Sequence, residues 1–330
     1  MNNLAYYLLK GLVYSLSLLP FWLLYRVSDV IFLLLYYLIR YRRKVVRKNL
    51  TTSFPDMSLK EVKAVERRFY RWLCDYVMET IKLLSISDEK LLRHIEFRGV
   101  DQLEQVFDEG RNCAAILGHY CNWEWLSATG LAFKAARQET QADRKQPAMG
   151  LIYHPLNSKA FDRLFIDIRS AHGGDCVPKK DILRHLLTYK REDRRSLFGY
   201  ISDQAPKWTN IHLWIDFLNH ETPVFTGAER IMRKMNDAVF YVDMERPRRG
   251  KYICTFRLLA PEASKTEEYD ITKQFFKYLE NSIRRQPSLY LWTHDRWKRT
   301  HAEFDRMLKV VNGKAIWRDP NGKEEQDESA

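Results

Sequence analysis

The stretch Ala114–Trp125, AAILGHYCNWEW, decides how this chain folds. Ala114 to Leu117 form a short apolar run suited to the inside of a sheet, Gly118 interrupts it, and His119, Asn122 and Glu124 follow at once. Residues five positions apart on a helix are about 140° apart around its axis, so His119 and Glu124 share no helical face. They meet only across a strand-to-helix turn, with Gly118 to Cys121 as the connection and Asn122 or Trp123 opening the helix. In that geometry Glu124 folds back to hold one ring nitrogen of His119 and leaves the other to take a proton. This is the base-and-orienter half of a catalytic triad without a Ser nucleophile, and it suits deprotonation of a bound hydroxyl. The plainer alternative is a hydrogen-bonded structural His. Cys121 lies inside the stretch, but a free Cys is ordinarily a small buried hydrophobe.

Downstream, short β runs alternate with helical ones. The strands expected are Cys113–Leu117, Ala148–Tyr153, Leu197–Ser202, His212–Phe217, Ala238–Met244 and Tyr252–Leu259. Helices are expected around Trp123–Arg137, Ser158–Ala171, Lys180–Tyr189, Gly227–Asn236 and Glu267–Arg285. The alternation predicts an α/β fold, a mixed sheet flanked by helices. Ligands collect at the carboxyl ends of strands in such sheets, where His119 is expected.

Upstream, residues 4 to 39 are apolar but interrupted by Arg26 and Asp29. Two arrangements suit them: one tilted span across Leu8–Leu24, or a helical hairpin lying in one leaflet with Pro20 as its break. No small-residue cleavage site follows, so a retained N-terminal membrane anchor is expected. Next come Arg40, Arg42, Arg43, Lys44, Arg47 and Lys48 without one acid, a block that stays cytoplasmic and attracts anionic head groups. Ser58 and Glu61 then read as a capping box ahead of Val62, Val65, Phe69, Trp72, Leu73 and Tyr76 at helical spacing. The resulting division is 1–45 anchor and basic segment, 46–311 catalytic domain and 312–330 polar tail.

A formal charge of +12 over 330 residues points to an anionic partner. Five scattered cysteines without a CxxC pair suit a reducing compartment, and neither a metal site nor a dinucleotide or Walker glycine pattern is present. Among other polar candidates, Tyr153 follows the second strand. Arg169 ends a helix beside a Gly turn, where its fork suits a phosphate or carboxylate or, alternatively, the last carbonyls of its own helix. Asp203 sits in a Pro-containing turn after another apolar strand, and Thr226 with Glu229 reads as a helix cap. His294 is the chief rival to His119 but lacks the strand and Gly setting. Arg246, Arg248, Arg249 and Lys251 form a basic loop, either a landing place for an acidic protein or a solvated turn.

Taken in order, these blocks resemble the late lipid A acyltransferases, the lauroyl/myristoyl transferase family related to the glycerolipid acyltransferases. The blocks are Arg47, Asn49, Leu50, Phe54 and Pro55; Gly118-His119 through Glu124; Tyr153 to Asn157 with Arg169; Asp203-Gln204; Pro223 to Gly227; and Leu291 to His294. The resemblance implies a bacterial inner-membrane enzyme, its catalytic domain on the cytoplasmic side. Such an enzyme moves an acyl chain from acyl carrier protein to a hydroxyl of a lipid A precursor, with a thioester co-substrate (acyl carrier protein or coenzyme A) and no cofactor. In those terms His119 is the general base, Glu124 holds its tautomer and Arg169 binds acceptor phosphate or the oxyanion. Asn122, Asp203 and Tyr153 are the other substrate-binding candidates. The Phe-Pro-Glu-Gly-Thr block of the glycerol-phosphate acyltransferases is missing, and relatives acylate other glycolipids, aminolipids or lysophospholipids. The contrasting class is a silent membrane-anchored binder of anionic lipid or nucleic acid. No nucleic-acid motif supports the latter.

Overall fold

A computed structural model describes residues 2–138, 147–311 and 314–318. Its helices are α1 (Asn2–Ser17), α2 (Phe21–Leu33), α3 (Arg43–Ser53), α4 (Leu59–Lys82), α5 (Asp88–Leu92), α6 (Val100–Asp108), α7 (Thr129–Gln138), α8 (Lys159–Ser170), α9 (Ile182–Arg191), α10 (Gly227–Met235), α11 (Asp270–Arg285) and α12 (His301–Met307). The main-sheet strands are β1 (Ile95–Arg98), β2 (Cys113–Leu117), β3 (Ala148–Tyr153), β4 (Gly174–Pro178), β5 (Ser196–Ile201), β8 (Ala238–Arg248) and β9 (Lys251–Ala260). Two separate ribbons pair β6 (Trp214–Phe217) with β7 (His220–Pro223) and β10 (Leu308–Val311) with β11 (Lys314–Trp317).

The seven-stranded sheet runs β1-β9-β8-β2-β5-β3-β4. Pairing is parallel from β8 through β4, and β9 runs antiparallel to β8, so the sheet is mixed as expected. Central β2 is buried at every residue, as a strand covered on both faces must be. The turn after it therefore opens at the middle of the sheet's carboxyl edge, next to the end of β5.

Several expected elements shift. The strand foreseen at His212–Phe217 begins at Trp214 and pairs with β7 outside the sheet. The helix foreseen from Trp123 begins as a 3₁₀ turn, Trp123–Ala128, and becomes α-helical only at Thr129. The Ser58/Glu61 capping box is present, and Val62, Val65, Phe69 and Trp72 behind it are buried. The Thr226/Glu229 box is not: Glu229 accepts from Thr272 N and Oγ1 at the start of α11. The tail foreseen at 312–330 takes in β11, Lys314–Trp317, which pairs with β10, and its part beyond 318 lies outside the described residues.

The N-terminal helices are built into the domain. The helix breaks before Pro20, which caps α2, so no continuous span covers Leu8–Leu24. The longer run Phe21–Ile39, α2 with its π-helical extension, has the length and apolarity to cross a membrane. One side of it is fastened to α4: Tyr25 donates to Glu79 at 2.9 Å, Ser28 to Asp75 at 2.7 Å and Tyr36 to Glu66 at 3.0 Å. Phe32 and Tyr36 join the same core as Trp72, and the boundary foreseen at 45/46 cuts through α3. The helix α1 lies along α8, where Lys10 and Tyr6 both donate to Asp167. Leu8, Leu12, Leu18, Trp22, Leu38 and Ile39 face outward.

Part of each basic group, foreseen as meeting anionic head groups or an acidic protein or as a solvated turn, pairs with the interior instead. Arg43 and Arg47 neutralise fully buried Glu66, and Arg42 donates to the Thr293 carbonyl. Arg246 and Arg249 pair with buried Asp75, and Arg249 also reaches Asp29 of α2. A buried carboxylate needs such partners, and guanidinium forks supply them. The 246–251 loop therefore clamps the N-terminal helices and offers no free landing surface through these two arginines.

Candidate active site

The turn Gly118–Asn122 is held from both sides. A Cβ on Gly118 would lie 2.8 Å from the side-chain tip of Leu279 of α11, so Gly lets that side chain pack against the turn without a shift. Cys121 adopts a left-handed φ of 58°, uncommon for a residue with a Cβ, and its N–H donates to the Leu289 carbonyl at 2.8 Å. Leu291 N–H donates to the His119 carbonyl at 3.1 Å. The segment 289–291 thus splints the backbone of the turn that carries His119.

The ring nitrogens of His119 are bracketed by two consecutive residues from the end of β5. Nδ1 lies 2.7 Å from Asp203 Oδ1, and Gln204 Nε2 lies 3.4 Å from His119 Nε2. Burial would push the Asp203 carboxyl up, but the charge and hydrogen bond of His119 outweigh it and hold the carboxyl below its ordinary range. An ionised carboxylate only accepts, so Nδ1 donates to Asp203 and Nε2 is the ring nitrogen left to take up or release a proton. The His119 side chain is 20 % exposed and that of Asp203 2 % exposed, so the orienting bond is dry and the ring has an opening to a substrate. The indole of Trp123 stands edge-on to the imidazole at 5.1 Å. Behind Asp203 lies Arg296, fully buried, donating to the Pro223 carbonyl at 2.7 Å. Desolvation pushes its guanidinium down to about 10, partly offset by Tyr290 and Asp203.

The expected contact between Glu124 and His119 does not form. Glu124 instead takes a two-pronged bond from Arg169, Nε at 2.7 Å and Nη2 at 2.6 Å, with its own side chain 4 % exposed. The 3₁₀ turn carries Glu124 past the ring and toward the end of α8, where a guanidinium fork matches a carboxylate better than an imidazole does. Arg169 is correspondingly committed to Glu124 through two of its nitrogens. Its guanidinium is held more firmly protonated than usual: burial disfavours the charge, and the Glu124 bonds more than compensate.

Asn122 also departs from its expected place. It is fully buried, and its amide donates to Glu79 Oε2 at 2.8 Å. Glu79 gathers Tyr25, Tyr252 and Asn122 around one carboxyl, which burial pushes up to about 7. Tyr153 stays half-buried at the end of β3, its phenol pushed up by burial and lying within electrostatic reach of Asp162 and Arg169. The rival His294 accepts from Ala205 N–H at 3.3 Å, and burial pushes it down to about 4, so it is a neutral structural acceptor. No group of three or more metal-ligating side chains occurs among the described residues.

The geometry thus brings together His119, Asp203 and Gln204 at one strand edge, and Glu124 with Arg169 beside them. A family model of the bacterial lipid A biosynthesis acyltransferases matches residues 2–299. The chain is 22% identical to the lipid A biosynthesis lauroyltransferase of Escherichia coli K12 over 292 residues, 87% of this chain and 89% of that protein. It is 21% identical over 260 residues to the lipid A biosynthesis palmitoleoyltransferase of the same organism, 78% of this chain and 79% of that protein. A lipid A biosynthesis acyltransferase of Shigella flexneri matches over the same length at the same identity.

Proposed function

The chain belongs to the bacterial lipid A biosynthesis acyltransferase family, and from that membership we propose that His119 is the general base of an acyl transfer from acyl carrier protein to a hydroxyl of a lipid A precursor. The observation that carries this reading is the bracketed imidazole, with Nδ1–H tied to Asp203 at 2.7 Å, Nε2 left to take up a proton and the ring partly open. The acceptor hydroxyl donates to Nε2 and its oxygen attacks the thioester carbonyl carbon as the proton passes to the ring. The tetrahedral intermediate collapses, the carbon–sulfur bond breaks, and the imidazolium returns the proton to the leaving thiolate. Acyl chain and proton are then both accounted for without an acyl-enzyme. Asp203 acts through His119, fixing its tautomer and stabilising the imidazolium. The Glu124–Arg169 pair positions the turn and the end of α8.

The outward apolar face of α1 and α2 supports attachment to the inner membrane, where a lipid acceptor resides, with the catalytic domain on the cytoplasmic side beside the acyl-carrier donor. The deciding experiment is a product assay by mass spectrometry. Detergent-solubilised protein receives lauroyl-, myristoyl- or palmitoyl-loaded acyl carrier protein and a tetra-acylated lipid A precursor, beside His119→Ala. One added acyl mass, lost in the variant, is the expected result. A wild type that leaves this precursor untouched but acylates a lysophospholipid or an aminolipid would overturn the acceptor assignment.

A further inference from the structure

We propose that Gln204 is a catalytic residue whose side-chain amide donates to the oxyanion formed as the thioester carbonyl is attacked. The inference rests on the reading of His119 as base and adds the group that answers the charge His119 creates. General-base attack leaves a negative oxygen on the acyl carbon, and a site without a donor for it forgoes the largest single contribution to such catalysis.

Several neighbouring donors are already engaged. Two of the three Arg169 nitrogens, Nε and Nη2, are engaged by Glu124. The Asn122 amide is buried on Glu79, and the Ala205 N–H goes to His294. Gln204 is half-buried, and its Nε2 reaches only 3.4 Å from His119 Nε2, a long and weak bond. That atom occupies the place where the acceptor hydroxyl must donate to the ring. When the hydroxyl arrives, the amide is displaced but remains beside the reacting carbon. An oxyanion donor needs to stand about 3 Å from the new charge, and a side chain already touching the base satisfies that with a small rotation. Attachment to the strand end that also carries Asp203 keeps the amide in register with the ring: one residue holds Nδ1 and the next waits at Nε2.

In the transfer itself, the acceptor oxygen bonds to the acyl carbon and its proton goes to Nε2. The carbonyl π pair moves onto oxygen and is held by the Gln204 N–H. As that pair returns, the carbon–sulfur bond breaks and the thiolate takes the proton from the imidazolium.

The test compares full-length wild type, His119→Ala, Gln204→Ala and Gln204→Glu in steady-state kinetics with acyl carrier protein thioester and lipid A precursor. Gln204→Ala is expected to lower kcat by about 10²–10³-fold, the cost of one oxyanion donor. Both KM values and the acid limb of the kcat pH profile should stay in place. Gln204→Glu keeps the side-chain length and sets a carboxylate against the oxyanion, so it should be slower still above neutral pH. It also carries the test if the Ala variant does not fold. A kcat within about threefold of wild type in a folded variant overturns the proposal, as does a loss confined to KM. A displaced acid limb would likewise overturn it, since Gln204 would then act only by setting the His119 ring. An active His119→Ala would remove the underlying reading, whereas an inactive His119→Ala with an unimpaired Gln204→Ala removes this inference alone.

Discussion

Nδ1 of His119 is held at 2.7 Å by Asp203, a carboxylate 84 residues further along the chain and buried at the end of the adjacent strand. The bond decides which ring nitrogen is left to accept a proton. Asp203→Asn keeps the shape but offers an amide that can turn either its oxygen or its NH2 to the ring, so the wrong tautomer becomes available. Loss of the equivalent charge in a serine-protease triad costs about 10⁴ in kcat, and a fall of about 10³ or more is expected here. The check is kcat of the purified variant; a loss below tenfold would show that His119 works without this partner.

Glu124 has a different expected phenotype. Its bidentate bond to Arg169 is buried, with the two side chains 4 % and 22 % exposed. Removing one partner of a buried pair strands the other charge and costs about 3–5 kcal/mol. Glu124→Ala is therefore expected to lose activity through stability, with its urea midpoint falling along with its turnover. The double variant Glu124→Ala/Arg169→Met should recover part of the midpoint, because the stranded guanidinium is gone. A Glu124→Ala protein as stable as wild type but devoid of turnover would contradict this and return Glu124 to the chemistry.

The contrast between these two carboxylates shows what was legible in the sequence. The strand Cys113–Leu117, its Gly break and the His behind it were readable because apolar run, breaker and polar burst are local signals. Long helices such as α4 were readable from their period and cap. The edge strands β1 and β4 were not: IEFR and GDCVP lack an apolar signal and are strands only because β9 and β3 offer a free edge to pair with. Asp203 was visible as a carboxylate at a strand end, but its partner depended on β2 lying beside β5, and strand order has no local signature. Glu124 misled because five residues of separation suggested a turn-mediated contact. Its actual partner, Arg169, is 45 residues away.

Glu79 predicts a pH dependence of stability. Burial pushes its carboxyl up to about 7 in the folded chain, above the ordinary value of 4.5. Between those values the native state holds a proton that the unfolded chain has released, so stability falls as pH rises through that window, by at most about 1.4 kcal/mol per pH unit. Asp237, also pushed up to about 7 by burial, has the same sign. Glu79→Gln should remove one share of the slope and leave the Asp237 share. Urea midpoints measured from pH 5 to pH 8 on both proteins would show it, and identical slopes would rule Glu79 out as a source.

The apolar face of α1 gives the last prediction. Leu8 and Leu12 are 66% and 71% exposed, one turn apart on the same side of a helix whose other side is fastened to α8. Exposed Leu side chains in such a row gain about 1.5–3 kcal/mol each when covered. If lipid covers them, Leu8→Asp should weaken binding to phospholipid vesicles by about tenfold or more, and Leu8→Asp/Leu12→Asp by the product of two such factors. The urea midpoint in detergent-free buffer should barely move, since neither side chain contributes to the core. Vesicle sedimentation supplies the first quantity and urea titration the second. Unchanged sedimentation with an unchanged midpoint would mean that the lipid contact lies elsewhere, the outer face of Phe21–Ile39 being the next surface to substitute.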